Sequence, residues 1–349
     1  MLSIDTTLLL CFAQSMSDLS TLRAHYEKFP YPSISLFAQV KAQHTHWLNY
    51  RAGVYACFGD TNFAVERPRI LVAGAGAFEP YVVAQANPQA EIIAVDISAQ
   101  ALKKLRRRLW LYGYGRRVKT LQADLCALPK TLGKFQMIVA TGVLHHLPDP
   151  ELGLKKLAEH LDDYGVMRLM LYSKQGRDFI YRIQSLVKSL GLENGKQLKN
   201  LMDSLPADHP LRVHFYLYSD HQSESGMRDG FFHVLDRPFD ALEMENFLAH
   251  AGLSARYFLH SASGQPEYLS EILKSAGIGN AHCEKLSPWE KIAVLDRLRE
   301  LESNFIFWCA SQKKQKLKIT PYVYELNPVF AKKIPRQIYL KNIDKFFTT

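Results

Sequence analysis

Three short stretches of the chain carry residues whose types and spacing can do chemistry. The first is Ala73-Gly74-Ala75-Gly76-Ala77-Phe78-Glu79. Its glycines allow a tight turn and a close approach of backbone to ligand. The second is a pair of acids, Asp96, which lies 20 residues after Gly76, and Asp124 in Gln122-Ala123-Asp124-Leu125. A carboxylate at the first of these spacings accepts hydrogen bonds from both hydroxyls of a ribose. The third is Thr141-Gly142-Val143-Leu144-His145-His146-Leu147, with two adjacent imidazoles that titrate near neutral pH and can take a proton. A dinucleotide site normally adds a third glycine, G-x-G-x-x-G, where pyrophosphate meets a helix start. Glu79 stands at that position, and a carboxylate there repels pyrophosphate. The loop therefore favours a nucleoside ligand whose link is cationic or neutral.

The elements that must position these residues are legible as alternating apolar runs. Arg69–Ala73 and Glu91–Asp96 read as strands buried on both faces, with a helix over Glu79–Asn87 between them. A helix from Ser98 to Leu111 stops at Gly113. Val118–Gln122, Phe135–Ala140 and Val166–Tyr172 read as strands three to five, the last preceded by a helix over Glu151–Leu161. Strands alternating with helices at this spacing predict a doubly wound α/β fold with a mostly parallel sheet. The alternation breaks over 173–238, which holds amphipathic stretches at Phe179–Leu190 and Gly195–Leu205. It resumes with a helix over Leu242–Ala251, strand six at Ala255–Leu259, a helix over Pro288–Leu301 and strand seven at Phe305–Ala310.

The strand-end Gly-x-Gly loop, Asp96, Ala-Asp-Leu at 123–125 and Gly-Val-Leu-His-His-Leu at 142–147 stand in the order used by class I S-adenosylmethionine (SAM)-dependent methyltransferases, and residues 70–172 resemble that family. The sulfonium and amino group of SAM also meet the charge requirement set by Glu79. The resemblance implies a Rossmann-like fold with a seven-stranded sheet, SAM as cofactor and S-adenosylhomocysteine as product. It implies that Gly74, Ala75 and Gly76 back the methionine part with Glu79 beside them. Asp96 would bind the ribose, Ile97 would pack on the adenine, and Asp124 and Leu125 would meet its amino edge. Thr141 and Gly142 would line the sulfonium end. Phe78 stands where many members carry a third glycine of GxGxG, and it would narrow the pocket. A narrower resemblance, on Tyr31-Pro32, Met170–Ser173 with Arg177, Arg228-Asp229, Phe232-His233 and Phe307–Cys309, points to a bacterial methyltransferase subgroup often found with upstream tetratricopeptide repeats. It adds architecture and no acceptor.

Methyl transfer needs a positioned acceptor, excluded water and sometimes a proton acceptor. His145, His146, Asp229 and His233 are the candidate catalytic residues. For the histidine pair the plainer reading, that it shapes a loop and caps the next helix, is preferred, with His145 expected near the pocket. Asp229 and His233, four apart, are expected on one helix face. Tyr26, Tyr31, Tyr172 and His214 are the candidate acceptor-binding residues, with aromatic packing the plainer reading for each cap residue. No metal is expected: His44 and His46 have no acid or cysteine beside them. Lys103, Lys104 and Arg106–Arg108 read as a solvated helix face.

Composition narrows the partners. The 349 residues are 47% hydrophobic and 22% charged, which excludes disorder and collagen-like repeats. No stretch is long and apolar enough to span a membrane, and Thr7–Ala13 lacks the basic flank of a secretory signal. Five scattered cysteines without a CxxC pair fit a reducing compartment, so a cytoplasmic location is expected. Of the net +9, +7 falls in the last 37 residues. The nearly neutral body, and the lack of an Asn/Asp-Pro-Pro-Tyr/Phe motif after strand four, favour a small-molecule or protein side-chain acceptor over a nucleobase. Two alternatives remain: an RNA methyltransferase docking through the basic tail, and a non-catalytic interaction protein. The expected organisation is a helical cap (1–66), the SAM-binding half (67–172), an inserted lid (173–238), the rest of the core (239–312) and a basic aromatic tail (313–349).

Overall fold

The computed structural model describes residues 18–40, 46–258, 285–298 and 304–313. The tail beyond Lys313, Cys11, His44, Cys283 and residues 7–13 lie outside the described residues, as does the side chain of His46. At the centre is a seven-stranded sheet in the order β3-β2-β1-β4-β5-β7-β6. Its strands are β1 (Arg69–Ala73), β2 (Glu91–Asp96), β3 (Val118–Gln122), β4 (Phe135–Thr141), β5 (Leu161–Tyr172), β6 (Leu253–Phe258) and β7 (Asn304–Ser311). β1 to β5 pair in parallel, while β7 runs antiparallel between β5 and β6. This is the doubly wound, mostly parallel sheet expected. β1 reverses the strand order, and the crevice beyond its carboxyl end is where such folds bind ligands.

The helices of the core are set by local chemistry. α2 (Tyr50–Phe58) begins on the Asn49 side chain and ends on Gly59 at φ 73°. α3 (Glu79–Ala86) follows the glycine loop directly. α4 (Ala99–Leu111) is capped by Ser98, whose hydroxyl accepts from the Ala101 N–H. α5 (Pro150–Glu159) has Asp149 as cap and proline at its first turn, the place where a missing N–H matters least. α10 (Met244–His250) and α11 (Pro288–Arg297) complete the set. The helices divide the apolar core between the two sheet faces: Leu71, Ile138 and Phe307 lie in one layer, and Ile70, Val72 and Trp308 in the other.

Before the core, α1 (18–28) leads into an extended strap over 29–40, with a cis peptide between Tyr31 and Pro32. Residues 173–238 form a helical layer, α6 (Asp178–Ser189), α7 (Gly195–Ser204), α8 (Pro210–Leu217) and α9 (Glu224–Phe231), with its own small core of Ile183, Leu198, Met202 and Phe215.

Several sequence expectations are corrected. β5 begins at Leu161, five residues early, because Leu161 pairs with Phe135 ahead of an irregularity in which β5 carries the extra residues before Val166 meets Met137. α9 stops at Phe231, so Asp229 and His233 do not share a helix face. Arg108 is no part of a solvated face. It is buried and donates to the carbonyls of Ile34, Ser35, Leu36 and Ala38 in the strap, and to Ala77 O of the glycine loop. A buried guanidinium must find such acceptors, and backbone carbonyls of the strap and the glycine loop supply them.

Candidate active site

A cavity of about 320 Å³ opens at the carboxyl ends of β1, β2 and β4. One wall of it is mostly backbone. Gly74 and Gly76 sit at φ 68° and 54°, a region that disfavours side chains. A Cβ on Gly74 would come within 2.6 Å of Val143, and one on Gly76 would meet Tyr31 O at 3.1 Å. The Asp96 carboxylate accepts from the Gly76 N–H at 2.7 Å and from the Ser98 N–H at 2.8 Å. Burial raises its pKa, and these two donors oppose the rise. Glu79 is pushed up by burial and held back by the Arg168 charge and a hydrogen bond with Thr141. Arg168, a buried residue of β5, donates to Thr141 Oγ1 at 2.7 Å. Asp124 accepts from the Cys126 N–H.

The facing wall is a side-chain network drawn from distant parts of the chain. His146 lines the cavity with Tyr26, Tyr31 and Tyr172. Its Nδ1 lies 2.7 Å from Leu235 O. A carbonyl cannot donate, so Nδ1 carries the proton and Nε2 carries the lone pair. That Nε2 is buried with no partner among the described residues. Burial drives the His146 pKa down to about 3, so the ring stays neutral. His233 stacks on it at 3.8 Å and has the opposite tautomer. Its Nδ1 accepts from the Leu235 N–H at 3.0 Å, so Nε2–H donates to Tyr26 Oη at 3.0 Å. Tyr26 donates to Asp229 Oδ1 and Tyr172 to Oδ2, both at 3.4 Å. Burial pushes Asp229 up to about 7, with the Arg177 charge opposing and Asp220 and Asp236 adding to the rise. The Arg177 guanidinium lies 3.4 Å from the Tyr172 ring centre. Tyr31 donates to Asp220 Oδ2 at 2.8 Å, which ties the strap to the helical layer.

All ten residues expected around the cofactor, from Gly74 to Gly142, line this cavity. Phe78 lines it too, with Arg108 over its ring at 4.8 Å. Of the candidate catalytic residues, His146 reaches the wall, and Asp229 and His233 stand behind Tyr26. His145 does not line it. It is fully buried against Tyr172, with ring centres 3.6 Å apart, and takes the Tyr172 N–H on Nδ1. His214 sits elsewhere, stacked on Phe179 beside Tyr218 and His221. Sequence reasoning misses Arg168, Asp220 and Leu22. A lone cation within the apolar run of β5 is a usable signal for the first; nothing local marks the other two.

His146, Asp229 and His233 bring one ligand atom each within 4.8 Å of one another. The hydrogen bonds argue against an ion there: His233 Nε2 carries a proton, and moving it to Nδ1 would set two N–H groups face to face at Leu235.

The cavity fits SAM on its own chemistry. The glycine cradle leaves room that a Cβ would take, and Asp96 offers a carboxylate at the second strand end. Comparisons agree. Residues 71–167 match the family model described as a methyltransferase domain. An uncharacterised protein of Synechococcus sp. is 26% identical over 321 residues, 87% of this chain and 76% of that one. Among solved structures, PKMT2 from Rickettsia typhi in complex with AdoHcy superposes with a TM-score of 0.60 at 14% identity. The match covers 81% of this chain but only 56% of that one, and at this identity it speaks for the fold. Residues 71–167 carry a methyltransferase domain within a class I methyltransferase fold, the fold of enzymes that take their methyl group from SAM. No helix among the described residues is long and apolar enough to cross a membrane.

Proposed function

We propose that the protein methylates a neutral donor group that still carries a hydrogen, a hydroxyl or an unprotonated amine, on a small molecule or a protein side chain, with His146 as the proton acceptor. The observation that carries this reading is the unpartnered, buried Nε2 of His146 in a cavity wall whose charged side chains are Glu79, Asp96 and Asp124, with no lysine or arginine among the described lining residues. An anionic acceptor, such as a carboxylate or phosphate, finds no counter-charge there. A group bearing a proton finds a lone pair.

Bound SAM supplies an electrophilic methyl whose bond to sulfur breaks with the electron pair returning to sulfur. The chain does the rest. Leu235 O fixes the His146 ring so that Nε2 faces the acceptor's X–H and takes its proton as the X–methyl bond forms. Tyr26 and Tyr172, held by Asp229, set the shape of the wall. The strap and the helical layer over 173–238 act as the acceptor-side lid and exclude water. His145 acts as a positioning residue for Tyr172.

The test is a screen with isotopically labelled SAM against matched amine, alcohol and carboxylic-acid acceptors and against peptides. Label on amines or alcohols and none on acids is the expected result. Preferred labelling of carboxylates would overturn it. Labelling of RNA in place of these would favour the nucleic-acid alternative.

A further inference from the structure

Residues 97–123 hold eight cations and no acidic residue. Ahead of the last 37 residues the chain carries a net +2, so this stretch is a sharp local concentration of charge. Two of its cations are turned inward: Arg108 onto the strap, and Arg117 onto the carbonyls of Ala84 and Asn87. The others face out. Arg106 donates to Thr120 and Lys119 pairs with Glu91, while Lys103, Lys104 and Arg107 have no acidic partner among the described residues.

The same surface is apolar where a solvated helix would not be. α4 buries Leu102, Leu105 and Leu109. On its opposite side, at three- and four-residue spacing, lie Lys103, Arg106, Arg107 and Trp110. Trp110 is 82% exposed. Next along the helix surface run Lys104, Arg108 and the exposed Leu111. Because Arg108 grips carbonyls from Ile34 to Ala38, the strap lies alongside that row. Phe37 of the strap is 73% exposed, and Ile34 and Leu36 are exposed with it. Exposed aromatic and aliphatic side chains ringed by unpaired cations form one face built from two segments 70 residues apart in sequence.

We propose that this face docks on an anionic lipid bilayer. Cations at the surface attract acidic headgroups. Trp110, Phe37 and Leu111 would enter the headgroup boundary, where an indole or phenyl gains from apolar contact while lysine and arginine stems reach out to phosphate. A polynucleotide offers phosphates for the cations but nothing for Leu111, Leu36 or Ile34, which is why the lipid reading is the better fit.

The test uses the full chain, co-sedimented with phosphatidylcholine vesicles with and without phosphatidylserine, at low and physiological salt. Binding is expected only with phosphatidylserine, falling as salt rises, with a blue shift in tryptophan emission. The Lys103→Glu/Arg107→Glu pair is expected to bind at least about tenfold more weakly. Trp110→Ala is expected to lose the blue shift, since the remaining indoles, Trp47, Trp289 and Trp308, lie in or against the core. Unchanged circular dichroism and unfolding midpoint show that the variants fold. Absence of binding to acidic vesicles overturns the proposal. Undiminished binding by the charge-reversal pair also overturns it and puts the attraction in the basic tail. Binding of single-stranded RNA without vesicle binding overturns it in favour of a nucleic-acid surface.

Discussion

The two walls of the cavity are held by different means. The wall proposed for the cofactor is assembled from strand ends and turns within one run, 74 to 142, and its key contacts are backbone amides on a carboxylate. The wall proposed for the acceptor joins Tyr26 to Asp229 and His233 across about two hundred residues, and its contacts are side chain to side chain. A backbone wall is fixed once the sheet forms. A side-chain wall exists only while the strap and the helical layer are both in place. The first should therefore fail at few positions and abruptly. The second should fail in graded steps as its links are removed.

The largest effect is expected from His146→Gln. Glutamine keeps a donor for Leu235 O and replaces the basic nitrogen at the cavity with a non-basic amide. Turnover should fall about 10²- to 10⁴-fold, the usual worth of a positioned base, with S-adenosylhomocysteine affinity unchanged by calorimetry. Loss of cofactor affinity instead would mean that the two walls are not separable. Asp96→Ala should do the reverse. It removes the carboxylate proposed to hold the ribose and leaves two N–H groups bare, so cofactor affinity should drop about 10- to 100-fold. Retained binding would remove Asp96 from the site.

Asp229→Asn sharpens the picture through pH. The folded pKa is about 7, raised from its ordinary value, so the folded state holds the proton more tightly than the unfolded one. That contribution to stability is full at about pH 4 and below, and is lost as pH rises to about 7. The Asn variant does not ionise. Its melting temperature relative to wild type should therefore rise from pH 4 to 7 and level off above. An acid limb near pH 7 in kcat/KM should vanish with it. A constant difference in melting temperature would show that Asp229 is already ionised in the folded protein.

The smallest effect belongs to Tyr31→Phe, which cuts the exposed link to Asp220. Such a bond is worth about 0.5–1.5 kcal/mol. The expected change is a few-fold rise in KM for the acceptor with kcat nearly intact. A large fall in kcat would show that the strap does more than close the lid.

Much of the cofactor wall is legible in the sequence. Gly74, Gly76, Asp96 and Asp124 owe their places to strand ends, and strands buried on both faces announce themselves as short apolar runs. The histidine pair is legible as a motif, but not which member faces the cavity. That depends on Leu235, whose carbonyl and amide fix the tautomers of both His146 and His233. The pairing of Asp229 with His233 is expected from helical spacing and arises instead from a loop folding back after Phe231. Arg108 reads with its neighbours as solvated, because its five carbonyl partners lie in the glycine loop and about 70 residues away in the strap.

The sequence by itself determined the sheet, its handed alternation with helices and the cofactor loop. These follow from hydrophobic period, glycine conformation and capping, all of which act within a few residues. Tertiary structure alone decided the proton positions on the imidazoles, the raised pKa of Asp229 and the burial of Arg108. Each of these depends on which groups are brought together once water has been excluded, and no local pattern encodes that.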